Sequence, residues 1–381
     1  MKIIHMADSH LGFTSFSRVD KYGRNLVEEM VYKGFEQAID RIIEIKPDAV
    51  VHAGDVFHHV RPRIRPLYVF KRNLERLSKA GIPVIIISGN HDAPKGFSST
   101  SPFFMYEGTE NVSIAHRYQY EKFEIDGYNF HCIPYCIDPS DYVKEFNNIN
   151  ISCNDVLVMH GLIESLRNKR LRTVGEHELN DSLLKRDFDY IALGHYHAQF
   201  QITENAWYSG SIEYFNFSEA KDAKGMLLVD LDKHNAETVK VRPNYMIDYP
   251  VVDCSGLSSE EIAEKLIELC DKDKIKDKMV RINLMNVNRA AFRNIDQIRL
   301  NKLGAPALVL KFKVDFVDDE ERRDDPIDRF KLHEEFEKFL EGDAALDLIP
   351  RSIKDDVTIY GTGLIRQAVS TRNMETLDVP E

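Results

Sequence analysis

Residues able to hold a divalent cation recur in this chain at the ends of short apolar runs. Val50-Val51-His52-Ala53 leads into Gly54-Asp55, with His58 three residues beyond, and Ile3-Ile4-His5-Met6-Ala7 leads into Asp8-Ser9-His10. Val84 to Ser88 runs into Gly89-Asn90-His91-Asp92, Val156-Leu157-Val158-Met159 into His160-Gly161, and Tyr190 to Leu193 into Gly194-His195-Tyr196-His197. A turn aspartate or a buried core histidine accounts for any one of these. Five together are different, because an all-structural account leaves several polar groups unpaired at buried strand ends, where each is costly. Asp8, His10, Asp55, Asn90, His160, His195 and His197 supply about four donors to each of two ions if Asp55 bridges them. Imidazoles with carboxylates and one amide oxygen suit Mn²⁺, Fe²⁺ or Zn²⁺ better than Ca²⁺ or Mg²⁺, although Mg²⁺ stays an option. Two such ions would generate hydroxide at neutral pH.

Positioning those loops requires strands and helices in alternation over roughly the first 245 residues. Asn25 to Glu44 reads as a helix with Leu26, Met30, Phe35, Ile39, Ile42 and Ile43 tending to one side, and Arg65 to Lys79 as a second with Pro66 in its first turn. Segments after residue 110 read increasingly as β structure, which two sheets packed face to face with helices outside would accommodate. Near Tyr249-Pro250 the pattern changes. Ser258-Ser259-Glu260-Glu261 is a capping box, followed by a strand at Val280–Leu284, a helix around Phe292–Lys302 and a strand from Ala307 to Phe316. This is an expected separate α/β unit. His5 and His52 lie within strands and are expected in core or supporting roles, whereas His116, His131, His177, His234 and His333 are expected at the surface. His58 can face the same cleft as Asp55.

At 381 residues the chain is long for one core, and 43% hydrophobic residues suffice for a sizeable interior. A strand entered at Lys2 or Ile3 leaves no room for a signal peptide, and no apolar run approaches the ~18 residues of a membrane span. A cytoplasmic protein is expected, with Cys132, Cys136, Cys153, Cys254 and Cys270 reduced. The net charge of −12 argues against a generic basic nucleic-acid binder, but its distribution is uneven. Asp318 to Asp343 holds twelve acidic and five basic residues, a net of −7. Basic clusters follow two ligand motifs: Arg61, Arg63 and Arg65, with Lys71 and Arg72, after Asp55, and Arg167, Lys169, Arg170 and Arg172 after His160. Placed there, they would steer a polyanion to the ions.

The ordered series Asp-x-His, Gly-Asp, Gly-Asn-His-Asp, His-Gly and Gly-His-x-His resembles the calcineurin-like dinuclear metallophosphoesterases. The resemblance implies that Asp8, His10, Asp55 and His197 hold one ion and Asp55, Asn90, His160 and His195 the other. It also implies that His91 contacts the phosphate and protonates the leaving oxygen. Gly54 to Pro62 with its extra His58, the run Tyr208-Ser209-Gly210-Ser211-Ile212-Glu213, then Phe217-Ser218-Glu219 and Lys224-Gly225, are similar to one branch, the double-strand-break repair nucleases that partner an SMC-like ATPase. That branch implies an α/β fold: a two-sheet metallophosphoesterase sandwich flanked by helices over 1–248, a small DNA-capping α/β domain over 249–317, and an acidic linker with a helical partner-binding region and tail over 318–381. It implies a Mn²⁺-dependent 3′-to-5′ exonuclease and single-strand endonuclease acting at DNA ends with two Mn²⁺, His58 helping to set the scissile strand, and a homodimer.

Alternatives within the superfamily are a protein phosphatase or a cyclic-nucleotide phosphodiesterase, and outside catalysis a DNA-end tethering scaffold. The appended unit and basic flanks favour a polymer, and the intact ligand set counts against a decayed site. Leu67, Tyr68 and Phe70 with Phe103, Phe104 and Met105 offer apolar surface for self-association. In the C-terminal region Asp325-Pro326 marks a helix start, and Leu332, Phe336, Phe339 and Leu340 form a narrow apolar stripe. Ile353, Val357, Tyr360, Leu364 and Ile365 could pair with it as a helical hairpin. Residues 326–368 are expected to dock on the coiled-coil base of the ATPase.

Overall fold

The apolar runs and amphipathic segments of the first part assemble in chain order as β1 (Lys2–Met6), α1 (Leu26–Ile45), β2 (Ala49–His52), α2 (Ile64–Lys79), β3 (Val84–Ile87) and β4 (Val112–Ala115). Then follow β5 (Glu121–Ile125), β6 (Tyr128–Ile133), α3 (Pro139–Asn147), β7 (Asp155–His160), β8 (Leu162–Ile163), β9 (Glu178–Leu179), β10 (Tyr190–Gly194), β11 (Phe200–Gln201) and β12 (Ala206–Tyr208). β13 (Met226–Asp230) and β14 (Asn235–Val239) complete this part. The structure is a computed structural model and describes residues 1–96, 100–164, 178–184, 186–317, 336, 340 and 354–374. The chain falls into two compact units, Met1–Phe316 and Val317–Glu381.

Two six-stranded sheets run in the orders β14-β13-β1-β2-β3-β4 and β11-β12-β10-β7-β6-β5. β1 to β4 are parallel, as are β12, β10, β7 and β6, so the carboxyl ends within each set gather at one edge. Period-2 alternation divides each strand between two cores. Ile3, Val51, Ile85 and Ile87 of the first sheet bury against Phe130, Val156, Val158 and Ala192 of the second. Ile4, Val50, Val84 and Ile86 on the opposite face pack beneath α1 and α2 through Phe35, Ile39, Phe70 and Leu74. The expected two-sheet sandwich with helices outside is what forms.

α1 starts at Asn25, whose side chain accepts from the Val27 and Glu28 amides, and ends at Lys46 in the left-handed region. α2 lies beside it with Arg65, Arg72 and Arg76 paired to Glu29, Glu36 and Asp40. The equal spacing of the two sets, seven then four residues along each helix, is what two helices running in the same direction require.

The remainder of the first unit is a four-stranded sheet: β15 (Met246–Asp248) and β16 (Val252–Asp253) on one side of β17 (Met279–Val287), and β18 (Val309–Phe316) on the other. α4 (Ser259–Leu269), whose capping box between Ser258 and Glu261 is formed, and α5 (Lys272–Ile275) precede β17. The single helix expected around Phe292–Lys302 is two short ones, α6 (Arg289–Arg293) and α7 (Gln297–Leu303). Buried Ile295 turns inward between them. In the second unit the described residues are dominated by α8 (Lys354–Met374), with the Phe336 ring so close that a Cβ on Gly361 would come within 2.4 Å of it. The 326 helix start, Leu332 and Phe339 lie outside the described residues.

None of the five cysteines is in a disulfide, and of the five only Cys153 is exposed. Two of the surface expectations fail. His116 is buried against Glu107 at 2.7 Å, and His131 is buried between the Tyr120 hydroxyl at 2.8 Å and Asp155 at 3.3 Å. A carboxylate beyond the local sequence partners each ring, which is why neither reads as buried from its neighbours in the chain. His234 is exposed, and His177 and His333 lie outside the described residues.

Candidate metal centre

Five parallel-strand ends deliver the chemistry to one place. Asp8 and His10 follow β1, Asp55 follows β2, Asn90 and His91 follow β3, His160 closes β7, and His195 and His197 follow β10. Asp8, His10, Asp55 and His195 all have positive φ, at 51°, 42°, 55° and 101°. Four non-glycine residues in that sparsely populated region is backbone strain concentrated where the side chains must converge. Glycine is required where loops touch. A Cβ on Gly54 would sit 2.4 Å from His160 Nδ1, and one on Gly194 would sit 2.0 Å from the Ala53 carbonyl oxygen.

The expected ligands form two groups, Asp8 with His10 and His197, and Asp55 with His160 and His195, each within 4.8 Å, and His10 lies equally close to His58 and His91. His10 Nε2 lies 3.1 Å from His197 Nε2 and 3.8 Å from Asp55 Oδ2. His160 Nε2 lies 3.4 Å from Asp55 Oδ2 and 3.0 Å from Asn90 Oδ1, which is itself 3.0 Å from His195 Nδ1. Asp55 therefore stands between the two groups.

The hydrogen bonds on the far side of the rings decide what these atoms present to one another. His160 Nδ1 is 2.8 Å from the Ala53 carbonyl, an acceptor only, so that nitrogen carries a proton and Nε2 is the one turned toward the Asp55 and Asn90 oxygens. His197 Nδ1 likewise donates to Glu219 Oε1 at 3.0 Å, leaving Nε2 to meet His10. Lone pairs converging from imidazole, carboxylate and amide are the arrangement a cation satisfies, and the donor set fits two divalent ions.

Electrostatics without an ion show the same tension. Burial opposes the charge of Asp55, yet His160 and His10 hold its carboxyl well below the usual range. His160 answers in kind: burial lowers it, but Asp55 outweighs burial and raises it to about 9. Burial drives His10 far below its ordinary value, and burial with the nearby His91 takes His58 down to about 4.

His91 and His58 sit on the outer side of this pair. The His91 amide donates to Asp55 Oδ1 at 2.8 Å, and His91 Nδ1 donates to the His58 carbonyl at 3.1 Å, which leaves Nε2 available. The His58 ring stacks on His91 with centroids 5.1 Å apart and planes at 17°, and its Nδ1 is 3.4 Å from His10 Nδ1. Phe13 and Phe215 close an aromatic wall against His58, His10 and His197.

Three supports stand behind the candidate ligands. Asp92 is fully buried and accepts from the amides of Val56 at 2.5 Å, Phe57 at 3.3 Å and Gly89 at 2.6 Å, so it ties the Asp55 loop to the Asn90 loop. His52 Nε2 pairs with Ser9 Oγ at 2.8 Å between Asp8 and His10, the supporting role expected of it. Glu219 and Lys224 form a buried pair behind His197; burial raises Glu219, but the His197 bond and Lys224 charge bring it down to about 2.

The basic residues fare unevenly. Arg65 commits its guanidinium to Glu29 and lies over the Tyr32 ring, while Lys71 and Arg72 pair with Glu75 and Glu36. Arg61 and Arg63 are exposed. Arg167, Lys169, Arg170 and Arg172 lie outside the described residues.

Comparison with known proteins agrees with the geometry. A family model described as calcineurin-like phosphoesterase matches residues 1–223. The DNA double-strand break repair protein Mre11 of Methanococcus maripaludis is 29% identical over 269 residues, 65% of this chain and 69% of that one. SbcD, a component of the nuclease SbcCD of Staphylococcus epidermidis, is 27% identical over 334 residues, 77% and 86% of the two chains. Mre11 of Methanocaldococcus jannaschii is 27% identical over 290 residues, 71% and 74%. Among the described residues no helix is long and apolar enough to cross a membrane.

Proposed function

The chain belongs to the calcineurin-like phosphoesterase family and is a metal-dependent phosphodiesterase; from that premise we propose that it is a Mn²⁺-dependent nuclease that processes broken DNA ends, as a 3′-to-5′ exonuclease and single-strand endonuclease. The observation that carries the reading is the convergence of His160 Nε2, Asn90 Oδ1 and Asp55 Oδ2 beside the His10–His197 pair. The relatives' names, a repair protein and a nuclease component, direct it to DNA.

Asp8, His10, Asp55 and His197 would hold one ion, and Asp55, Asn90, His160 and His195 the other. When bound, the ions supply a nucleophile at neutral pH and neutralise charge growing on the phosphate. The chain's own residues do the rest. His91, its Nδ1 fixed on the His58 carbonyl, turns Nε2 toward the phosphate and gives a proton to the leaving 3′ oxygen. His58 braces that ring by stacking and helps to set the strand. Arg61 and Arg63 steer the backbone, with Arg167, Lys169, Arg170 and Arg172 from the second cluster.

The chain's parts divide as a nuclease domain over 1–248, a DNA-capping domain over 249–317 and a partner-binding region beyond. Arg18 donates to the carbonyls of Ala305, Ala307 and Leu308, and Val27, Tyr214 and Phe217 pack with Met246, Met279 and Val309, so the third sheet is anchored to the body that bears the site. That placement favours a long substrate over a small ester. Self-association is proposed through Ile64, Tyr68, Phe104 and Met105, which are 59–85% exposed, whereas Phe70 and Phe103 belong to the core. Residues 326–368 are proposed to dock on the SMC-like ATPase, and Ile359, Tyr360 and Leu364 of α8 stand exposed for it.

Purified protein with Mn²⁺ is to be incubated with end-labelled duplex DNA, a cyclic nucleotide and a phosphopeptide. Shortening of the labelled 3′ strand supports the proposal. Hydrolysis of only the small esters makes the chain a phosphatase or cyclic-nucleotide phosphodiesterase, and binding without hydrolysis makes it a tethering scaffold.

A further inference from the structure

Of the residues in the run from Tyr208 to Gly225, Glu219 and Lys224 take no part in the chemistry described above. Both are buried, and both point at one metal-ligand candidate. Lys224 Nζ has three protons and three acceptors at bonding distance: the His197 carbonyl at 2.9 Å, Ser211 Oγ at 2.8 Å and Glu219 Oε2 at 2.8 Å. Glu219 Oε1 accepts from His197 Nδ1 at 3.0 Å and from Asn216 Nδ2 at 2.6 Å, while Oε2 also accepts from the Phe215 amide at 3.1 Å. The His197 carbonyl receives a further bond from the Ser211 amide at 3.0 Å. Lys224 therefore grips the main chain of His197 directly and its ring through Glu219. Burying a lysine and a glutamate side by side is costly unless every donor and acceptor is used, and here every donor of Lys224 is.

Among the described residues, neither His160 nor His10 has such a device. His160 directs Nδ1 to a backbone carbonyl, which fixes its tautomer without a charge behind it, and His10 Nδ1 meets only His58 Nδ1 at 3.4 Å. A carboxylate behind a ligating histidine both sets the tautomer and raises the basicity of the metal-facing nitrogen.

We propose that Glu219 and Lys224 are positioning residues for His197 that set affinity at the Asp8–His10–His197 side of the centre without governing the Asp55–Asn90–His160–His195 side. The inference rests on the dinuclear reading above and gives the 217–225 run a physical role: it is the clamp of one ligand.

The test is Mn²⁺ titration of the full chain, stripped with chelator, by calorimetry and by counting bound ions after gel filtration. Wild type should bind two ions. Glu219→Gln, nearly isosteric, and Lys224→Met should keep the tighter ion and weaken the second by about 10–100-fold. Asn216→Ala, at an exposed position, removes one bond to Glu219 together with the Asn216 cap on Ser218 and should fall between them and wild type. Far-ultraviolet circular dichroism of each stripped protein checks the fold, and should both buried-site variants unfold, Asn216→Ala carries the answer. Variants that bind two ions with wild-type affinities overturn the inference, and so does equal weakening of both ions, the mark of a general structural role. Wild type that binds fewer than two ions refutes the dinuclear reading itself, and the inference with it.

Discussion

Removing the metal turns His160 into a proton store, and refilling the site must empty it. In the metal-free protein burial works against the imidazolium, but the Asp55 carboxylate beside Nε2 overrides it and lifts His160 from 6.5 to about 9. Ligation requires the Nε2 lone pair, because Nδ1 is committed to the Ala53 carbonyl. At pH 7.5 nearly every metal-free chain therefore has to release ~1 proton from His160 when an ion binds. His197 is also raised, burial being outweighed by the Glu219 hydrogen bond and Asp8, and adds a further fraction, whereas His10, driven far down by burial, adds none. The expected total is between about one and two protons per chain, and apparent affinity should climb roughly tenfold per pH unit between about pH 6.5 and 8.5. Titration calorimetry at pH 7.5 in buffers of low and high ionisation enthalpy measures the count. Linkage fixes the sign for the stripped protein: a folded value above the unfolded one gives stability that is whole below about 6.5 and lost as pH rises through about 9. The loss is roughly 3 kcal/mol at most. Release of fewer than about half a proton, or an affinity flat across that range, would refute the pairing of His160 with Asp55.

Four further outcomes follow from the same contacts. His91→Ala should abolish cleavage while two ions stay bound by calorimetry; loss of metal, or cleavage near wild type, removes His91 from the role assigned to it. Asp92→Ala leaves the Val56, Phe57 and Gly89 amides without their carboxylate and should cost about 3 kcal/mol in denaturant unfolding of the stripped protein, a cost below about 1 kcal/mol counting against the loop-tying role. Phe104→Glu places a charge on an exposed apolar site and should convert a dimer to folded monomer by sedimentation, so a variant that stays dimeric argues for another surface. Truncation after Val317 should leave single-strand cleavage largely intact and abolish co-purification with the ATPase; a complex that persists sinks the docking proposal.

What the sequence determined by itself is the set of groups that lie within a few residues of their own strand or helix. An apolar run ending in Gly-Asp or Asn-His dictates a buried strand with a donor at its carboxyl end, and Asn25 and the Ser258–Glu261 box mark helix starts through bonds spanning two or three residues. The strand-end donors, the two-sheet body and the separate later sheet were legible for that reason. Tertiary structure alone decided which groups became partners, because no local signal reaches across the chain. The His195 amide donates to Asp8 across 187 residues, His160 Nδ1 to Ala53 across 107, and Arg65 meets Glu29 rather than open solvent. His131 looked like a surface residue until β6 set it beside Asp155 of the neighbouring strand. Glu219 stood in the Phe217-Ser218-Glu219 run without an assigned role until the fold brought it behind His197, 22 residues earlier. The chain's local chemistry chooses the candidate ligands. Closure of the two sheets over the edge where their parallel strands end then decides their geometry, their protonation and their supports, since five strand ends meet there.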